Sequence, residues 1–115
     1  MKIDLYKPIY NQIEELVSDI PGWTPVDELF ALFNLVISTS QIAGDIIEIG
    51  SWCGRSSVVL GLAASFRPKS RLFCIDLFPE LNDWHRNSDG SYSFSVDVGG
   101  EIYHAYKDQT VWREP

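Results

Sequence analysis

The sequence predicts an α/β chain with two N-terminal helices, a β-α-β unit of parallel strands, and a β-hairpin. Three observations predict it. Apolar residues recur at steps of three and four over residues 6–20, and again over 26–37. Two short apolar stretches, around Ile46–Ile49 and Leu72–Ile75, flank a segment of helical period. From Tyr92 onward apolar and polar residues alternate until a Gly99-Gly100 pair, the pattern of a strand running into a tight turn. At 115 residues the chain has the length of one domain.

The first helix is carried by Tyr6, Ile9, Tyr10, Ile13, Leu16, Val17 and Ile20, with Glu14, Glu15 and Asp19 on its other face and Pro21-Gly22 as its stop. The second opens with Thr24 as N-cap and Pro25 in the first helical position, and Asp27 and Glu28 suit the positive end of its dipole. Val26, Leu29, Phe30, Phe33, Val36 and Ile37 form its main face. Leu32 and Leu35 widen that face, so the helix is expected to be largely buried. Gly44-Asp45-Ile46-Ile47-Glu48-Ile49-Gly50 reads as a buried parallel strand, with three isoleucines in four positions between glycines. Residues 55–66 return to helical period through Val58, Val59, Leu62, Ala63 and Phe66, and Arg71–Asp76 reads as a second buried strand. Strand, helix and strand over about 32 residues have the size of a right-handed β-α-β unit. Residues 77–90 read as loop. Residues 101–110 fit either the second strand of a hairpin or the start of a helix, and Val111–Pro115 carries neither a cap nor a closing strand.

Composition narrows the partners. The net charge is −7, with −2 in residues 1–75 and −5 in residues 76–115. An acidic chain repels phosphate backbones and anionic surfaces, so neither nucleic acid nor a membrane is an expected partner. The apolar runs are too short for a membrane-spanning helix. Cys53 and Cys74 form no C-x-x-C and no zinc spacing and read as reduced thiols in or near a core. With no apolar signal core at the N-terminus, a cytoplasmic setting is expected. His85 and His104 have no metal-ligand spacing, and no metal site is expected.

The chemistry concentrates at 48–56. Glycines at the carboxyl end of a strand let a ligand approach the backbone, and a helix starting near Gly54 turns unpaired N–H groups toward it. In an open parallel sheet, ligands bind beyond the carboxyl ends of the strands, where Asp76 ends the neighbouring strand. A carboxylate there can accept from both hydroxyls of a ribose. The expected ligand is therefore of nucleoside type. The loop Gly50-Ser51-Trp52-Cys53-Gly54 has two glycines and a bulky tryptophan, not the G-x-G-x-x-G of a pyrophosphate cradle. Glu48, two residues before Gly50, suits a ligand with a cationic or amino-bearing end. Each residue also has a plainer role open to it. Glu48 fits a strand-end acid accepting loop N–H bonds, Asp76 a helix-cap or turn acid, and Trp52 a packing residue.

Glu48-Ile49-Gly50-Ser51-Trp52-Cys53-Gly54-Arg55-Ser56-Ser57 resembles motif I of class I S-adenosylmethionine-dependent methyltransferases, in the branch acting on small-molecule hydroxyls. The resemblance covers about residues 44–78. It implies a Rossmann-like fold and S-adenosylmethionine as cofactor. By it, Glu48, Gly50 and Gly54 surround the methionine part, Asp76 holds the ribose, and Ser51 and Trp52 belong to the same cofactor-binding loop. The implied reaction is in-line methyl transfer to a small-molecule acceptor. On this basis residues 1–43 are an N-terminal helical segment, 44–78 the cofactor-binding unit, and 79–115 a loop and hairpin with a truncated end. Two parallel strands make an incomplete sheet, so the catalytic half and its base are expected to lie outside this sequence. Two other classes stay open. One is a non-catalytic Rossmann-like domain acting through dimerisation, whose partner strand would cover the open sheet edges. The other is an NAD-binding oxidoreductase domain.

Overall fold

The computed structural model describes residues 3–78 and 80–107. It is a small α/β protein. Among the described residues there are three α-helices, a parallel two-stranded sheet and an antiparallel three-stranded sheet. They fall into two compact units, the first reaching to Asp76 and the second beginning at Leu77.

The first unit contains α1 (Ile9–Val17), α2 (Val26–Ser38), β1 (Ile46–Ile49), α3 (Arg55–Ala64) and β2 (Leu72–Ile75). Its core lies where the three helices meet, and Ile13, Val17, Leu29 and Val59 are its largest fully buried side chains. α1 is shorter than its apolar period. Pro8, in extended conformation, stands at its N-cap, and proline disfavours helix in the residue before it. Asp4–Lys7 instead forms a separate turn, tied to α1 by Gln12, whose side chain donates to the Asp4 and Lys7 carbonyls at 2.7 and 2.9 Å. Tyr10 donates its hydroxyl to Asp27 Oδ1 at 2.6 Å, linking α1 to α2, and this bond holds the phenol pKa above its ordinary value.

Thr24 does not cap α2. Pro25 takes the N-cap position in extended conformation, no side chain caps the helix, and Asp27 and Glu28 occupy its first turn as expected. The α2 face is narrower than its composition suggested, since Leu35 is exposed. At the other end of α2, buried Arg67 donates to the Val36 carbonyl (3.2 Å), Thr39 Oγ1 (3.0 Å) and the Ile42 carbonyl (2.7 Å). A cation there complements the negative end of the helix dipole.

β1 and β2 pair in parallel with Ile46 opposite Leu72 and Ile49 opposite Ile75. The sequence predicts two buried strands, but one face is half-buried and the other exposed. Ile46 and Leu72 pack against the helical core, while Ile47 and Ile49 are 65% and 81% exposed. A single β-α-β crossover lays its helix over one face of a sheet and leaves the other to elements outside the crossover. The starting ends of the strands are clamped by Asp45, which accepts from the Arg71 amide at 2.9 Å and from Arg71 Nη2 at 3.0 Å. The Arg71 guanidinium holds the Asp45 carboxyl below its usual pKa. The clamp therefore contributes above the unfolded carboxyl value of about 3.9 and is lost as pH falls through the lower folded value. Thermal melts between pH 7 and pH 2 should show a falling midpoint in the acid range, and Asp45→Asn should flatten part of that fall.

The second unit holds a 3-10 turn (Leu81–Asp83), β3 (Trp84–Arg86), β4 (Tyr92–Val98) and β5 (Glu101–Lys107), in the order β3-β4-β5. The hairpin is present, and 101–107 is strand rather than helix. β3 falls within residues 77–90, where the sequence predicts loop. It pairs through Trp84 opposite Phe94, whose rings meet edge to face with centroids 4.8 Å apart. The β4–β5 turn has φ of +63° at Gly99 and +91° at Gly100, the left-handed pair that a two-residue hairpin of type I′ needs. Replacing either by valine should destabilise the hairpin by about 1 kcal/mol or more, because L side chains resist that region. Loss of β-sheet signal at lower urea would report it. The register sets Tyr103 opposite Val96 and Tyr106 opposite Ser93. The tail expectations at 111–115 lie outside the described residues.

Candidate functional site

The site lies at the carboxyl ends of β1 and β2. Parallel register brings those ends level, and the Gly50 amide donates to the Ile75 carbonyl at 2.8 Å, so the chain leaves β1 directly beside Asp76. Three residues then adopt left-handed backbone. Gly50 has φ +83°, Trp52 +47° and Gly54 +86°. A Cβ at Gly50 would meet nothing within 4 Å, so glycine is required there for conformation and not for space. The Gly54 amide donates to the Ser51 carbonyl at 2.8 Å, closing the turn, and Gly54 then serves as the N-cap of α3 without a side chain. The first amides of α3 thus have no intrahelical acceptor and face the loop.

Two carboxylates border this loop. Strand alternation sets Glu48 on the helix-covered side of β1, where it accepts from Ser56 Oγ and, at 3.8 Å, from the Cys74 thiol. Asp76 Oδ2 accepts the Trp52 amide at 2.6 Å. Asp76 therefore does serve as a turn acid, holding the loop through the Trp52 amide. That bond fixes the carboxylate at the end of β2, which is also where a ribose ligand would need it. The Trp52 ring stacks against Trp23 from the α1–α2 connector, with centroids 4.0 Å apart and planes 36° from parallel.

The hydroxyls complete the lining. Ser51 is buried, and the Ser51 and Ser57 Oγ atoms are buried without a hydrogen-bond partner. Two orphaned hydroxyls at the head of one helix are unusual in a folded chain, where buried polar atoms are nearly always paired. Cys53, expected in or near a core, is exposed, because the loop turns outward there. Cys74 is half-buried, and neither cysteine is in a disulfide. Among the described residues, no group of three or more His, Cys, Asp or Glu could hold a metal ion. His85 lies in β3 of the second unit and is exposed.

Glu48, Gly50, Ser51, Trp52, Gly54 and Asp76 are thus brought to one sheet end. The sequence did not single out Ser57 or Trp23. Ser57 was detectable as the residue three past Gly54, on the first turn of α3. Trp23 was not, because it reaches the loop only through tertiary packing. Cavities among the described residues also lie away from this end. One of about 370 Å³, beside Ile42, Gly44, Asp45 and Arg67, sits at the opposite end of β1, and one of about 240 Å³ lies between Ile3, Asp4, Gln12 and Leu62. No helix among the described residues is long and apolar enough to cross a membrane. No family model matches the chain, and comparison with curated proteins finds no match.

Proposed function

We propose that this chain carries the S-adenosylmethionine-binding half of a class I methyltransferase with a Rossmann-like fold, acting on a small-molecule acceptor. The observation that carries the proposal is the donor and acceptor set at one sheet end. Glu48 and Asp76 are acids on adjacent strand ends, with a left-handed glycine loop between them. The orphaned Ser51 and Ser57 hydroxyls lie at the amino end of α3. A ligand bearing a carboxylate, an amino group and a ribose diol meets that set. The hydroxyls and first-turn amides donate to the carboxylate, Glu48 accepts from the amino group, and Asp76 accepts from the diol. A pyrophosphate would meet the two acids and the Trp52 side chain instead.

When bound, the cofactor supplies an electrophilic methyl group that an acceptor oxygen or nitrogen takes by in-line displacement. The residues of this chain hold and orient. The left-handed turn at Gly50 and Gly54 lets the backbone come close, and the Asp76–Trp52 bond fixes the loop against β2.

Calorimetric titration of the purified chain with S-adenosylhomocysteine and, separately, NAD tests the proposal. Heat from S-adenosylhomocysteine alone is expected. Heat from NAD alone would replace the proposal with a dinucleotide site, and heat from neither would leave a non-catalytic domain in its place.

A further inference from the structure

We infer that Trp23 and Arg55 set the conformation of the glycine loop from outside it, which makes the α1–α2 connector a positioning element of the site. For the identity of the ligand this rests on the cofactor proposal above; for the mechanics it rests on contacts within the first unit.

Arg55, at the head of α3, is half-buried and closes the connector at both ends. Its Nη1 donates to the Val17 carbonyl (2.7 Å) and the Ile20 carbonyl (2.9 Å), and its Nε to the Thr24 carbonyl (2.9 Å). Gly22 leaves room for that side chain, since a Cβ there would lie 2.7 Å from Arg55 Cδ. The connector so held presents Trp23, which is 63% exposed yet stacked on Trp52.

Trp52 is the loop residue whose conformation most needs support. It is not glycine, yet its φ is +47°. Such a residue persists only where its surroundings over-determine it. Here it is held from two sides, its amide by Asp76 and its ring by Trp23. The path from Arg55 through the connector to Trp23, and on to Trp52 and Asp76, joins the N-terminal helices to both strand ends. A merely cohesive surface contact would leave the loop backbone indifferent to Trp23.

The test uses the full chain, without ligand first. Amide hydrogen exchange across 50–54 is compared in the wild type, Trp23→Ala and Trp23→Phe. Because Trp23 is mostly exposed, its alanine variant should fold with little change in melting midpoint. The expected result is about three- to tenfold faster exchange of the Trp52 amide in Trp23→Ala, the fold-change matching one aromatic pair, with recovery in Trp23→Phe. Arg55→Lys, which keeps the charge but not the three-carbonyl geometry, should accelerate the same amide. Unchanged Trp52 exchange in Trp23→Ala would overturn the inference. S-adenosylhomocysteine affinity is then expected to weaken in step with exchange. If the wild type binds none of it, the cofactor proposal fails while the exchange comparison still decides the positioning role.

Discussion

Arg67→Met is expected to lower the unfolding free energy by about 3 kcal/mol, from the loss of charge-assisted hydrogen bonds to buried and part-buried acceptors. The guanidinium is shared by the Val36 and Ile42 carbonyls and Thr39 Oγ1, while Nε donates to Ser70 Oγ. Three of these groups belong to the end of α2 and the chain just after it, where carbonyls run out of helical donors. Methionine keeps the aliphatic stem and fills similar volume, so most of the loss comes from unpaired acceptors and not from a cavity. Lysine should recover only part of the loss, because one ammonium cannot span the same fork. Urea melts with an unchanged m-value would isolate the effect, and a cost below about 0.5 kcal/mol would show that water replaces the guanidinium freely.

Asp76→Ala is expected to weaken S-adenosylhomocysteine binding by roughly ten- to a hundredfold, the worth of charge-assisted hydrogen bonds. A carboxylate that served the ribose alone could be removed with stability nearly untouched. The Trp52 amide bond alters that expectation, because alanine also frees the loop from β2. Asp76→Asn separates the two roles. Its amide oxygen can still accept the Trp52 N–H, so the loop should stay in place while the charge facing the ribose is gone. Asparagine is therefore expected to lose affinity with little loss of melting midpoint, and alanine to lose both. Normal affinity in both variants would remove Asp76 from the site.

Periodicity located the elements of the first unit because each has one buried face. Ile13 and Val17 on α1, and Leu29, Phe33 and Val36 on α2, are buried at helical spacing. It overextended α1, since an apolar Tyr6 in step with the helix says nothing about the turn that Pro8 enforces. It also missed β3, because Trp84-His85-Arg86 is too short and too polar to show alternation, and pairing with β4 makes it a strand. The six candidate residues were legible because they sit within one loop and one strand end. The roles of Arg55 and Arg67 were not, because most of their acceptors are main-chain carbonyls between 25 and 38 residues away, and a carbonyl leaves no mark in sequence.

The two sheets also differ in how far their chains must travel. β4 meets β5 across two residues, and β3 meets β4 across the short Asn87–Ser91 turn. β1 meets β2 only after Ile46 finds Leu72, with the whole of α3 between them. Loop-closure entropy rises with that separation, and contacts of low sequence separation form first. The antiparallel meander should thus assemble on the microsecond scale of hairpins, well before the parallel pair. The paired strand ends that bring Glu48 and Asp76 together would then be among the last structures to form during refolding.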